Sequence, residues 1–241
     1  YNQDTYADNL SNNHRLNFNL LWQVDSLNSI RFTPSLSLQQ TNNRSQSVYQ
    51  TLSALKNLTN DGNSDNAASS EGYSFRNEIT WRKKFARKGR TFSLSLQTSL
   101  NDSKGDGSLQ SINRFYDPNG VLLKRDTLNQ QSENNAQLKA YNARAVYTEP
   151  LGKRSLLELS LGKSNSRNNS EKLTYDYNNG NGKYDRINNQ LSNDFSNDYG
   201  FTNAGIRIRT QKKKYSYSFG AAWQQAELQG TITNGNKDSV I

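Results

Sequence analysis

Residues 14–24 read HRLNFNLLWQV. Leu16, Phe18, Leu20, Trp22 and Val24 fall on one side of an extended chain, with Arg15, Asn17, Asn19 and Gln23 on the other. This is period two, the pattern of a strand with one apolar and one wet face. After the link DSLNS, IRFTPSLSLQ at 30–39 repeats it: Ile30, Phe32, Leu36 and Leu38 oppose Arg31, Thr33, Ser35, Ser37 and Gln39. The two stretches make a hairpin. Pro34 lies on the apolar side and has no N–H for a ladder, so a bulge is expected there.

The same unit returns three times along the chain. Tyr73, Phe75, Ile79, Trp81 and Phe85 alternate with Ser74, Arg76, Glu78, Thr80, Arg82 and Lys84, and Phe92, Leu94, Leu96 and Leu100 follow after ARKGR. Tyr141, Ala143, Ala145 and Tyr147 are joined through PLGKRS to Leu157, Leu159 and Leu161. Ala204, Ile206 and Ile208 lead through KKK to Tyr215, Tyr217, Phe219, Ala221 and Trp223. Eight strands are expected, near 14–24, 30–39, 73–85, 91–100, 138–148, 156–163, 201–210 and 215–227. Short links near 25–29, 86–90, 150–155 and 211–214 alternate with long Asn/Ser/Asp/Gly-rich stretches near 42–72, 101–134 and 164–198.

That asymmetry is the mark of a transmembrane barrel, with short periplasmic turns at one end and long external loops at the other. A sandwich or propeller would space its turns more evenly. Each apolar stripe covers about 9–11 residues, the length a tilted strand needs to cross a bilayer. Aromatic residues sort by depth: Trp22, Trp81, Tyr147, Tyr215 and Tyr217 stand near the short links, while Trp223 lies toward the long-loop end. These six are the expected membrane girdle. The fold class is therefore all-β, an antiparallel transmembrane β-barrel segment of about eight strands in four hairpins.

Composition agrees. Of 241 residues only 32% are hydrophobic and the mean hydropathy is −0.99, too little for an ordinary dry core. A wet-lumen barrel tolerates the deficit because alternate residues face water inside the wall. Disorder also tolerates it, but disordered chains are poor in aromatics and this one has 13 Tyr, 9 Phe and 3 Trp. Cysteine is absent, which excludes disulfides and thiolate metal sites. Methionine is absent too, so no signal peptide is there to read, and no run reaches the roughly 20 apolar residues of a membrane helix.

Catalytic chemistry has no constellation. The one histidine, His14, ends the first strand on its apolar side with no nucleophile or acid placed beside it. Asp176–Gly182 has a calcium-loop flavour but departs from the D-x-[DN]-x-[DN]-G pattern and lacks the closing Glu; Asp61–Asp65 is weaker still. Both are read as turn-forming loops, and no cofactor or metal is expected. The net charge of +9 is carried partly on the short links, by Lys83, Lys84, Arg87, Lys88 and Arg90, by Lys153 and Arg154, and by Lys212, Lys213 and Lys214. There, solvated turns or contacts with a lipid leaflet explain it better than nucleic acid, since no base-stacking motif accompanies it. The polar face offers Arg76, Glu78, Arg82, Arg144, Glu158, Arg207 and Arg209 as lumen-facing candidates, able to form a ladder of opposite charges.

Two stretches carry a family resemblance. YTEPLGKRSLLELSLGKSNSRNNS at 147–170 and the chain from 175 to 230, with YTEPLGK at 147–153 and LSNDF at 191–195 closest, resemble the outer-membrane β-barrel family allied to TonB-dependent receptors. The resemblance implies a bacterial outer-membrane location and a larger barrel of about 22 strands preceded by a plug domain. The chain then reads, over 1–241, as a partial barrel without plug or signal peptide, both ends external. The implied function is the wall of a nutrient importer. Its partners would be outer-membrane lipid, the remaining barrel and plug, and TonB through the parent protein. A non-transporting surface or adhesion protein is the alternative, and a soluble β-rich binding domain a third.

Overall fold

The computed structural model describes residues 1–234 and 237–240. These form one antiparallel sheet, with no helix among them. β1 (Asn2–Asn17) and β2 (Leu20–Gln23) lead to the first short turn, and β3 (Asn28–Phe32) and β4 (Ser35–Leu52) return from it. Then come β5 (Leu58–Lys84), β6 (Thr91–Tyr116), β7 (Leu122–Pro150), β8 (Ser155–Asn178) and the short β9 (Lys183–Ile187). β10 (Asn193–Gln211), β11 (Ser216–Asn234) and β12 (Lys237–Val240) complete the sheet. Its order is β1-β4-β5-β6-β7-β8-β10-β11-β12, with β2 beside β3, β3 beside β5, and β9 beside β8.

Three expectations change. The described residues contain twelve strand segments, not eight, because the first two runs each break once and two short strands lie among the polar stretches. The long stretches are not loops. They continue the strands as polar ribbons, up to the 29 residues of β7, which at about 3.3 Å per residue is roughly 95 Å. Their tips are narrow, at 53–57, 117–121 and 179–182. The segments at both ends, expected as loops, are likewise largely strand; residues 235, 236 and 241 lie outside the described residues. Finally, β1 and β12 end the strand order without meeting, so the described sheet is open rather than a closed barrel.

Pro34 makes no bulge. Leu20 opposes Phe32 and Asn17 opposes Ser35 in one continuous register, and β5 keeps register across the same gap. The proline carbonyl still accepts from Phe18 N at 3.0 Å. Only its missing donor interrupts the ladder. Strand turnover is tight at 24–27, 85–90, 151–154 and 212–215. Asp25 Oδ1 accepts from the backbone N–H of Leu27 and of Asn28, both at 2.7 Å, and Gly89 supplies the left-handed φ of 89° that its turn needs. Tyr215 falls in the last turn, just before β11.

The ribbons hold together by polar cross-strand pairs. Arg44 meets Asp65 and Arg167 meets Asp198, each at 2.7 Å; Asn60 Nδ2 donates to Asn113 Oδ1 at 2.7 Å; and the Ser47 and Ser64 hydroxyls bond at 2.9 Å. Backbone ladders need no apolar side chain, and such pairs add a little each.

No hydrophobic side chain is buried among the described residues. Leu161 is 58% exposed, Phe219 72% and Trp223 56%. Fully burying one such side chain is worth about 1.5–3 kcal/mol, so a stripe of more than a dozen left in water would oppose solubility. The stripe also drifts across the sheet. The hydrogen-bonded rung that begins at Leu16 runs through Leu36, Phe75 and Leu100, then through Lys139, Arg167 and Asp198 to Gln229, six residues beyond Trp223. The rung from Asn28, opposite Val24, ends at Ala221, six residues from Tyr215. Both edges of the stripe therefore shift by the same amount over seven pairings. With about 3.3 Å per residue and about 4.8 Å between strands, the strands tilt about 30° from the normal to the stripe, close to the roughly 35–45° tilt of barrels.

Candidate functional site

Alternation and register together assign the faces. Arg76 opposes Ser35 and Ser99; Glu78 opposes Gln97; Arg82 opposes Ser29 and Ser93. Arg144 opposes Ser95 and Gly162, Glu158 opposes Thr148 and Arg207, and Arg209 opposes Leu156 and Ser218. All seven candidates thus share the polar face, and the registers add Arg15, Arg31 and Lys84 to it. Within the span of the apolar stripe that face carries eight cations and two carboxylates.

The expected ladder of opposite charges does not form. None of these groups makes an ion pair within 4.0 Å among the described residues. Glu158 and Arg207 stand directly across from each other in register, yet no ion pair joins them. Glu78 instead accepts from Thr80 Oγ1 at 3.0 Å and from Gln97 Nε2 at 3.3 Å. The wall therefore presents uncompensated positive charge to whatever it faces.

Three candidates come together. Arg144, Glu158 and Arg207 line one concavity of about 620 Å³ with Ser160, Asn203 and Gly220. Its floor is closely packed: a Cβ on Gly205 would lie 2.8 Å from Ser160 Oγ, and one on Gly220 would lie 3.0 Å from the Ile206 carbonyl. Arg76, Glu78, Arg82 and Arg209 lie outside it. Asn203 and the glycines were not singled out in sequence, because serine and glycine recur on every polar stretch and only strand pairing shows which ones meet.

Aromatic rings contact one another near the short turns. Trp81 meets Phe92 edge-on at 5.7 Å, Phe85 meets Tyr147 at 6.3 Å, and Tyr215 stacks on Tyr217 at 6.3 Å. Trp22 and Trp223 share the rung that passes through Ile30, Trp81 and Leu161. The drift of the stripe nevertheless puts them at its opposite edges.

Other motifs resolve into structure. His14 opposes Leu38 and makes no side-chain hydrogen bond among the described residues; Glu71, Tyr73, Asp102 and Lys104 line the same shallow depression, with no Ser, Thr or Cys among its lining. At the tip after β8, Asp185 accepts from the side-chain amides of Asn178, at 3.1 Å, and Asn181. Those donors, Asn181 first, hold its carboxyl below the usual range. Asp61 and Asp65 lie in β5 and face Arg114 and Arg44. Among the described residues no three His, Cys, Asp or Glu cluster to hold a metal.

Comparison with known proteins adds one positive finding. Residues 83–240 match the family described as the outer membrane protein beta-barrel family. No curated protein matches the chain.

Proposed function

Because the chain belongs to the outer membrane protein β-barrel family and resides in the bacterial outer membrane, we propose that it forms part of the wall of a TonB-dependent receptor-like transporter that imports a nutrient. The observation behind this reading is the two-faced sheet: one side apolar and uncovered, the other polar, charged and lined with small residues. In such a wall the apolar face meets lipid, and Arg144, Glu158 and Arg207 face the solute or the plug, where substitutions tune selectivity. The role is non-catalytic. Its partners are outer-membrane lipid, the rest of the barrel with its plug, and TonB through the parent protein; nucleic acid is not among them.

The test is uptake by the parent protein in cells that do or do not supply TonB. Energised accumulation that requires TonB and the plug is expected. Equal uptake without either overturns the reading. A second reading rests on the ribbons, which carry both faces polar for roughly 60 Å beyond the apolar stripe of β7. A surface protein that binds partners through those ribbons predicts a parent with the barrel and no plug. The soluble-domain reading requires a dry core, which the described residues lack.

A further inference from the structure

Three of the four short turns form one continuous basic rim. The turn after β5 carries Lys83, Lys84, Arg87, Lys88 and Arg90; the next carries Lys153 and Arg154; the last carries Lys212, Lys213 and Lys214. They are contiguous in space. Arg87 Nη2 donates to the Pro150 carbonyl at 2.9 Å, and Gln211 N donates to the Arg154 carbonyl at 2.9 Å. Glu149 is the one carboxylate on this rim, and it is taken by Arg87 at 2.8 Å and Arg90 at 2.7 Å. The other eight cations make no ion pair among the described residues. The first turn, joined to the second where Lys84 N donates to the Leu27 carbonyl at 2.7 Å, holds no cation, and its Asp25 lies close enough to feel the charge of Lys83.

Depth is the second observation. The Lys83 ammonium lies 5.5 Å from the centre of the Phe85 ring, and that of Lys212 lies 5.3 Å from Tyr215 while also reaching its hydroxyl at 3.1 Å. Those rings belong to the aromatic layer at the short-turn edge of the apolar stripe. Aromatic layers settle among lipid headgroups, so ammonium groups resting on them stand at the level of headgroup phosphates. A cation held there is attracted to an anionic lipid surface.

We propose that this rim is a binding surface for net-anionic phospholipids of the leaflet at the short-turn end. The proposal rests on the apolar stripe lying in the membrane but not on transport. Lys83 and Lys212 engage headgroup phosphates from the girdle, while Lys153, Arg154, Lys213 and Lys214 add attraction from the aqueous side. Glu149 screens only its own two arginines.

The test reconstitutes the intact protein into phosphatidylcholine vesicles with traces of spin-labelled phosphatidylglycerol or spin-labelled phosphatidylcholine. The motionally restricted fraction of each label is read at low and high salt. The anionic label should be favoured about fivefold, with the preference collapsing at high salt. A variant carrying Lys153→Gln, Arg154→Gln, Lys212→Gln, Lys213→Gln and Lys214→Gln should lose more than half of that preference, with Lys83, Lys84 and Lys88 holding the rest. Removing five charges at the other end, with Lys56→Gln, Lys104→Gln, Lys124→Gln, Lys172→Gln and Lys183→Gln, should leave the preference intact. Parity in the wild type, an unchanged rim variant, or equal loss in the far-end variant overturns the proposal. So does displacement of lipid by inorganic phosphate or an acidic peptide at matched ionic strength. Insertion is checked separately by heat-modifiable gel mobility: a protein that enters no vesicle overturns the membrane embedding itself, and the rim with it.

Discussion

At Glu149 the sequence and the structure meet in one side chain. It ends β7 beside the short turn, and Arg90, then the Tyr147 hydroxyl, with Arg87 adding charge, lower its carboxyl from 4.5 to about 2. A depressed carboxyl stabilises the folded state fully above its ordinary value of 4.5 and loses that contribution as pH falls toward about 2. Acid titration of the folded protein should therefore show the turns at 85–90 and 151–154 loosening between those limits, read by hydrogen exchange. Glu149→Gln should loosen them at neutral pH and abolish the pH-dependence in that window; an unchanged acid profile would refute the assignment. In sequence Glu149 borders only one basic link, the one with Lys153 and Arg154. That Arg87 and Arg90 both turn to it, 59–62 residues away along the chain, was not visible there, since only pairing of β6 with β7 brings the turns together.

Strands are where alternation becomes energy. Leu96 lies at mid-stripe on β6, paired with Ile79 and Ala143 on the apolar face, and Gln97 points to the opposite face. Leu96→Arg puts a charge toward hydrocarbon and should lower stability by about 2–4 kcal/mol. Gln97→Arg places the same charge beside Glu78 and should change stability by about 0.5 kcal/mol or less. Denaturant unfolding of both variants from vesicles measures the contrast, and similar losses would contradict the face assignment. Period two made the apolar-faced stretches of the four hairpins legible, and left out the short polar strands β9 and β12. The ribbons beyond were not legible, because Asn, Ser and Gln on both faces carry no periodicity and read as loop. Their extension comes from backbone ladders and cross-strand pairs such as Arg167 with Asp198, whose partners no local pattern names.

For the whole sheet, the drift of the apolar stripe makes a geometric claim. Trp22 and Trp223 share a rung, yet tilted strands carry them to opposite membrane interfaces. Single-tryptophan variants in vesicles with uniformly oriented protein should show one quenched and the other spared by a non-permeant quencher added outside; matched quenching would mean an untilted sheet. From the chain alone came the strand-forming stretches, the sidedness of each, the tight turns and the absence of a dry core, because these depend on neighbours one to ten residues apart. Tertiary pairing decided the length of the ribbons, the meeting of Arg144, Glu158 and Arg207, the failure of their charges to pair, and the joining of three turns into one basic rim. Those features depend on which rung faces which, and register is set by the sum of pairings across the sheet, a quantity that no single strand contains.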